Sequence, residues 1–247
     1  MIGASRRALA VLGTSAALVL AGVAASASAA PAPPACPGCV IAGAARMPLS
    51  VPDGTPLAGY GALARRLIVP DVFGRYPHAF WFKPGTRQRE PLWARALVLE
   101  RDGTRLVWVA LDLVAIDGGF TERVASRLLR AGIRPGVLIL SASHTHSGPG
   151  AFVDSALMGF LAVDREDVAV RDALITAVVE AVRRANDARA PARVAIGVSA
   201  APPVVRSRLD GPLDPEIVVL AVRRPTAPPW APSGTSRSMA RCSGRKI

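Results

Sequence analysis

Histidine is scarce in this chain. There are three in 247 residues, His78, His144 and His146, so imidazole chemistry is confined to few places. No Gly-x-Ser-x-Gly elbow occurs, which leaves a serine site of the α/β-hydrolase kind unsupported. No P-loop and no Gly-x-Gly-x-x-Gly dinucleotide fingerprint is present, and no internal repeat. The formal charge of +12 suggests a polyanion partner, but no Lys/Arg stripe with interleaved aromatics accompanies it. Arg6 and Arg7 lie in the leader, and residues 223–247 hold six basic groups and no acid; the rest holds 22 basic groups against 18 acidic ones. The excess belongs to the two ends, and nucleic-acid binding is not expected.

Cysteine is equally scarce, at three. Cys36-Pro-Gly-Cys39 follows a Pro-rich lead and does not open a helix in a βαβ unit, as a redox pair would. A local disulfide, or no function, is the reading. Lipidation of Cys36 is a minor alternative, and Cys242 has no evident partner. Residues 1–30 read as a secretory signal. Arg6-Arg7 is the positive region, Ala8–Val23 is apolar and small, and Ala27-Ser-Ala29 precedes a cleavage site before Pro31. The stretch is too short and too rich in Ala, Gly and Ser for a convincing membrane span, although a retained anchor is the alternative. Ser5-Arg-Arg-Ala-Leu9 weakly suggests the twin-arginine route. Export to a periplasmic or extracellular space is expected, with an oxidising environment.

Residues 31–46 read as a Pro/Ala-rich, flexible lead-in. Pro56-Leu-Ala-Gly-Tyr-Gly61 is a tight turn, either simply a turn or backbone held close to something. Residues 62–92 form a long connection holding Phe73, Tyr76, Phe80, Trp81 and Phe82. This is the densest aromatic cluster in the chain, either a satellite core under a loop or an apolar entrance for acyl chains. His78 reads as a bystander. Two strands, 95–100 and 104–113, flank Asp102-Gly103, a strong two-residue hairpin signal. Asp112 at the strand end is a hydrogen-bond acceptor or a group orienting an imidazole, the first being preferred. An amphipathic helix over Phe120–Ala131 and a return through Pro135 make a βαβ unit with a right-handed crossover. A longer helix, Arg165–Ala188, buries Leu174, Val178, Val179 and Val182. Strands over Arg193–Val198 and Leu213–Val222 follow. Sustained alternation of strand and helix predicts an α/β fold, a layered mixed β-sheet with flanking helices.

The chain is organised around Gly136-Val-Leu-Ile-Leu-Ser-Ala-Ser-His-Thr-His-Ser-Gly-Pro-Gly-Ala-Phe152. The apolar run reads as a buried strand. It ends in His144-Thr-His146 and then Ser147-Gly-Pro-Gly150, a sharp loop. Residues two apart on an extended chain face one side, so both imidazoles can meet at one point past a central strand, where α/β sheets bind ligands. A polar loop with ordinarily hydrogen-bonded histidines is the competing reading. The Asp-His pair of a metallo-β-lactamase site does not follow.

Ser-Ala-Ser-His-Thr-His-Ser-Gly-Pro-Gly resembles the signature loop of the neutral/alkaline, non-lysosomal ceramidases, secreted zinc amidohydrolases that cleave the N-acyl bond of ceramide to sphingosine and a fatty acid. The Gly59-Tyr-Gly61 turn, and Arg206 followed by Asp214-Pro215 and a hydrophobic strand, stand in the family's order, over about residues 47–224. The family has Asn before that Arg; here it is Val205, in a shortened loop. The resemblance implies that His144 holds zinc, that His146 is a neighbouring hydrogen-bonding or proton-handling group, and that Arg206 holds the substrate or its developing oxyanion. It also implies a second histidine, a glutamate and a tyrosine as further zinc ligands, all later than this chain's match, so residues 47–224 read as an incomplete catalytic domain with an incomplete ligand set and doubtful activity. The implied partners are ceramide or a related N-acyl lipid, with a membrane surface touched only transiently through the substrate. Other readings are a secreted α/β binding domain without metal, and an amidohydrolase of another N-acyl lipid. Residues 225–247 read as an irregular tail, and from about Thr226 as out-of-frame translation: another frame permits the family's next strand with its histidine, provided Gly234 is GGA, Thr235 ACT and Ala240 GCA.

Overall fold

Two antiparallel strands, β2 (Trp93–Arg101) and β3 (Thr104–Leu111), form the hairpin expected at Asp102-Gly103. Both turn residues have positive φ, 49° and 76°, the backbone that twists a two-residue turn to match its strands. After β3 the chain enters α1 (Gly118–Arg130), whose first turn is capped by Asp117 accepting from the Phe120 N–H. It returns as β4 (Val137–Ala142), parallel to β3 from Leu106↔Val137 to Leu111↔Ala142. A short helix, α2 (Ala156–Met158), runs into a π turn, Gly159–Val163. The long helix α3 (Val168–Asp187) is capped by Asp167 accepting from Val170 N–H. Strands β5 (Ala190–Ala200) and β6 (Glu216–Arg223) form a second antiparallel pair.

This computed structural model describes residues 36–200, 202, 207 and 209–225, and the backbone of 239–242. The described residues belong to one compact unit that begins at Ala35. With β1 (Val40–Pro48) and β7 (Met239–Cys242) added, the strand order is β4-β3-β2-β1-β5-β6-β7, a mixed sheet with helices laid on it, the α/β architecture expected. Two of its strands were not expected. β1 (Val40–Pro48) lies between β2 and β5, where the sequence reads as a flexible lead-in. Its Ala-Gly-Ala-Ala composition lacks the bulky alternation that marks a strand. The packing explains that composition: a Cβ on Gly43 would lie 2.0 Å from the Ala185 carbonyl oxygen of α3. The helix crosses where the strand has no side chain. The second is β7 (Met239–Cys242), which pairs with β6; the remainder of the tail from Thr226 lies outside the described residues, as does the leader. A disulfide joins Cys36 and Cys39, with Cα atoms 5.4 Å apart.

The core is built on one sheet face. Val107, Val109 and Leu111 of β3 alternate inward and meet Phe120, Val124 and Leu128 of α1 and Leu174, Val178 and Val182 of α3, all essentially without solvent contact. Each such side chain contributes about 1.5–3 kcal/mol by leaving water. This fixes β3 and β4 against two helices, and their carboxyl ends carry the loop with the histidine pair.

Candidate functional site

The His-bearing loop leaves β4 at Ser143, whose N–H still donates to Leu111 O at 2.9 Å. β4 is the end strand of the order rather than a central one, because the crossover through α1 sets it outside β3. His144 then adopts φ +60°, a left-handed conformation uncommon for any residue but glycine and concentrated at functional sites. The convergence expected from an extended chain is therefore reached differently: the backbone turns at His144, and the two rings meet edge to face with centroids 4.9 Å apart.

The proton positions follow from the partners. His144 Nδ1 lies 2.7 Å from the Val114 carbonyl oxygen. A carbonyl only accepts, so Nδ1 carries the hydrogen and, in the neutral ring, Nε2 is an open acceptor. His146 Nε2 sits 3.3 Å from that atom and is the donor to it. That leaves the lone pair on His146 Nδ1, which is buried with no partner. Such an orphan is unusual in a folded protein and calls for an explanation.

The Gly59-Tyr-Gly61 turn supplies the floor. Gly59 has φ +114°, and a Cβ there would lie 2.6–2.7 Å from ring atoms of His146. Gly59 N–H donates to Ala162 O at 2.9 Å, and Ala58 N–H to Gly148 O at 3.0 Å. Tyr60 leans over His146 with centroids 4.4 Å apart and planes 59° apart. Of the two readings left open for this turn, the structure favours backbone held close to the site.

Asp112 does not reach the imidazoles. Its Oδ2 accepts from Trp93 N–H at 2.9 Å and its Oδ1 from Arg95 at 2.8 Å, so it ties β3 to the start of β2. His78 lies apart, 3.2 Å from Asp167 Oδ2. Arg206 is outside the described residues. The aromatic stretch divides: Phe82 is buried, Phe80 and Trp81 are half-buried, and Phe73 is exposed. Its buried part hangs on Asp164, a fully buried carboxylate at φ +70°. Asp164 accepts from the N–H groups of Phe80, Trp81, Phe82 and Arg165 at 3.0, 2.9, 3.1 and 2.6 Å. Sequence reasoning missed Asp164, whose only signal is a lone acid closing an apolar run. The Val114 carbonyl, as backbone, had no signal at all.

The donor set can be weighed against zinc. His144 fits: a ligating imidazole normally gives its other N–H to a carbonyl or carboxylate, as Nδ1 does here, so the Nε2 lone pair, which accepts from His146 in this structure, is the atom a metal would take. A catalytic zinc takes three protein donors. Among the described residues no group of three or more His, Cys, Asp or Glu converges. The described residues therefore offer a partial donor set and not a zinc site.

Comparison with known proteins matches residues 81–207 to the family model of the neutral/alkaline non-lysosomal ceramidases, N-terminal part. A neutral ceramidase of Pseudomonas aeruginosa is 34% identical over 112 residues, 42% of this chain and 16% of its own length. Two solved structures share the fold. A ceramidase complexed with C2 is 24% identical with a TM-score of 0.58, and a neutral ceramidase from Pseudomonas aeruginosa is 23% identical with a TM-score of 0.59. Each match covers 74% of this chain and 29% of the solved one. The chain thus spans a minor part of the relatives it matches.

Proposed function

The chain belongs to the neutral/alkaline non-lysosomal ceramidase family, and from that premise we propose that it carries the histidine-bearing part of a site for hydrolysing ceramide or a related N-acyl lipid. The reaction adds the oxygen of water to the amide carbonyl carbon, breaks the C–N bond, and delivers a proton to the departing nitrogen, giving a fatty acid and sphingosine. The observation that carries the reading is the imidazole pair, turned together at His144 and seated on Gly59. In this proposal His144 Nε2 is one zinc donor, and zinc when bound polarises the carbonyl and acidifies water. His146 holds or moves a proton beside it, and Arg206 anchors the substrate oxygen. Transient contact with a membrane surface through the lipid substrate belongs to the same reading. So does export behind a cleaved leader, which the Cys36–Cys39 disulfide supports.

The 247-residue chain by itself is proposed to be inactive, since its described residues offer a partial donor set. Zinc content after gel filtration and sphingosine release from ceramide test this. Substoichiometric zinc and no release are expected. One tightly held zinc per chain, or turnover abolished by His144→Ala, overturns it.

A further inference from the structure

We infer that the sheet face turned away from the helices pairs with the same face of a second copy of this chain, giving a two-fold dimer of stacked sheets. This pairing does not depend on the amidase reading.

The strand register sorts the side chains into two faces. Residues directly opposite in a ladder share a face, and neighbours in sequence alternate. The row Gly43, Val98, Val107 and Leu138 looks toward the helices, since Gly43 abuts Ala185 of α3 and Val98 and Val107 are fully buried. The rows on either side of it look the other way. One runs Ala42, Leu99, Leu106, Val137, and the other Ala44, Leu97, Trp108, Ile139. Ala42 also pairs with Ala190, so alternation carries this face along β5 to Val194, Ile196 and Val198, each opposite an apolar residue of β6. None of these side chains belongs to the core that α1 and α3 cover. Val137 and Ile139 are 45% and 40% exposed, and Ile196 and Val198 more so. The strand sequences agree with a second cover. Val137–Leu140 and Ile217–Val222 are unbroken apolar runs, the pattern of strands buried on both faces.

Area and charge select the occupant. The six strands β1–β6, about 4.8 Å apart and about six residues long, make a face of about 29 Å by 20 Å. Two such faces stacked about 10 Å apart bury about 1,200 Å², above the roughly 1,000 Å² a specific interface needs. The apolar rows hold no charge. At their rim Arg95 is bound to Asp112 at 2.8 Å, and Arg46 lies over the Trp93 ring, 4.1 Å from its centroid. A two-fold axis therefore brings like patches together without stranding a charge. A strongly charged partner would find no counter-charge in these rows. The histidine loop begins past Ala142, where β4 ends, so it stands outside the paired face.

The test is analytical ultracentrifugation of residues 31–247 from about 1 µM to about 100 µM, the range suited to an interface at the small end of the specific ones. The compact unit begins at Ala35, so removing residues 1–30 takes away only the apolar leader, whose own association would confuse the reading. A reversible monomer–dimer equilibrium with no larger species is expected. Ile196→Lys with Val198→Lys should weaken dimerisation about tenfold or more, and so should Ile139→Lys at the other end of the face. These side chains are exposed in the single chain, so its fold should survive, which an unchanged far-UV spectrum checks. Leu129→Lys, on α1 and 54% exposed, lies on the helix side and should change nothing. Hydrogen exchange reads the same event: amides of residues 193–200 and 216–223 should exchange early in dilute chain and slow as the dimer forms. A monomer at every concentration overturns the inference, whether the face stays open or this chain's own remaining residues cover it. So does a dimer that either face variant leaves intact, an equal loss in Leu129→Lys, or open-ended association.

Discussion

Gly59 and Gly103 both have positive φ, +114° and +76°, yet they stand in different surroundings, and the contrast isolates what the histidine site needs. Nothing lies within 4 Å of a Cβ built on Gly103, whereas one on Gly59 would enter the His146 ring. Gly103→Ala should therefore cost only the backbone strain, about 1 kcal/mol. Gly59→Ala should cost more and displace the ring. NMR of the imidazole Cε1–H signals checks this: His144 and His146 should move in Gly59→Ala and stay fixed in Gly103→Ala. An unmoved His146 signal in Gly59→Ala would mean the turn does not position the ring. Asp164 poses a second question at this scale. Asp164→Ala strips four N–H groups of one acceptor, each costing about 1–3 kcal/mol if left unpaired and buried; some will find water. A loss of about 3 kcal/mol or more in urea unfolding is expected, with residues 80–82 released. Asp164→Asn keeps one oxygen and tolerates the left-handed backbone, so it should fall between.

Among the elements, α3 shows what a sequence discloses and what it hides. Its apolar spacing marked Leu174, Val178 and Val182, all buried, and Val179, which packs partly buried against the same core. The hairpin at Asp102-Gly103 and the crossover to β4 were legible for the same reason: turn chemistry and periodicity are local. β1 was not, because its small residues answer to a helix about 140 positions away in the chain, beyond the reach of local periodicity. The histidine pair was legible as a pair, but the left-handed turn at His144 and the Val114 carbonyl depend on tertiary contacts. On the outer face of α3, Glu180 is held at a pKa of about 2, first by hydrogen bonds from Arg183 and then from Arg184. With the folded pKa below the ordinary 4.5, the stabilisation is complete above pH 4.5 and fades as pH falls toward 2. The guanidiniums are about half exposed, so it amounts to about 1 kcal/mol at most. Urea midpoints at neutral pH and near pH 3 should differ less in Glu180→Gln than in the parent. An identical acid dependence in both would remove Glu180 from the account.

Across the whole molecule, stability is expected to be uneven, and the register shows where. β1 pairs with β2 along eight residues, from Ile41↔Glu100 to Pro48↔Trp93, and α3 buries its face on this part of the sheet. β1 meets β5 at only three pairs, from Val40↔Ala192 to Ala42↔Ala190. Past Ala192, β5 pairs with β6 over eight residues, but neither face is well covered: Ile196 and Val198 are 71% and 64% exposed, and no residue of β6 is buried. The β5–β6 pair therefore has backbone hydrogen bonds with little apolar burial behind them, the condition under which a segment opens without global unfolding. Hydrogen exchange read by mass spectrometry checks this. Amides of β2, β3 and α3 should exchange last, through global unfolding, and should slow together when the chain is stabilised. Amides of residues 193–200 and 216–223 should exchange much earlier and be insensitive to a core substitution such as Leu174→Ala, which should cost about 2–5 kcal/mol and accelerate the first group alone. If both groups exchange together in the parent and in Leu174→Ala, the sheet unfolds as one unit, and the three β1–β5 pairs couple its halves more tightly than their number implies.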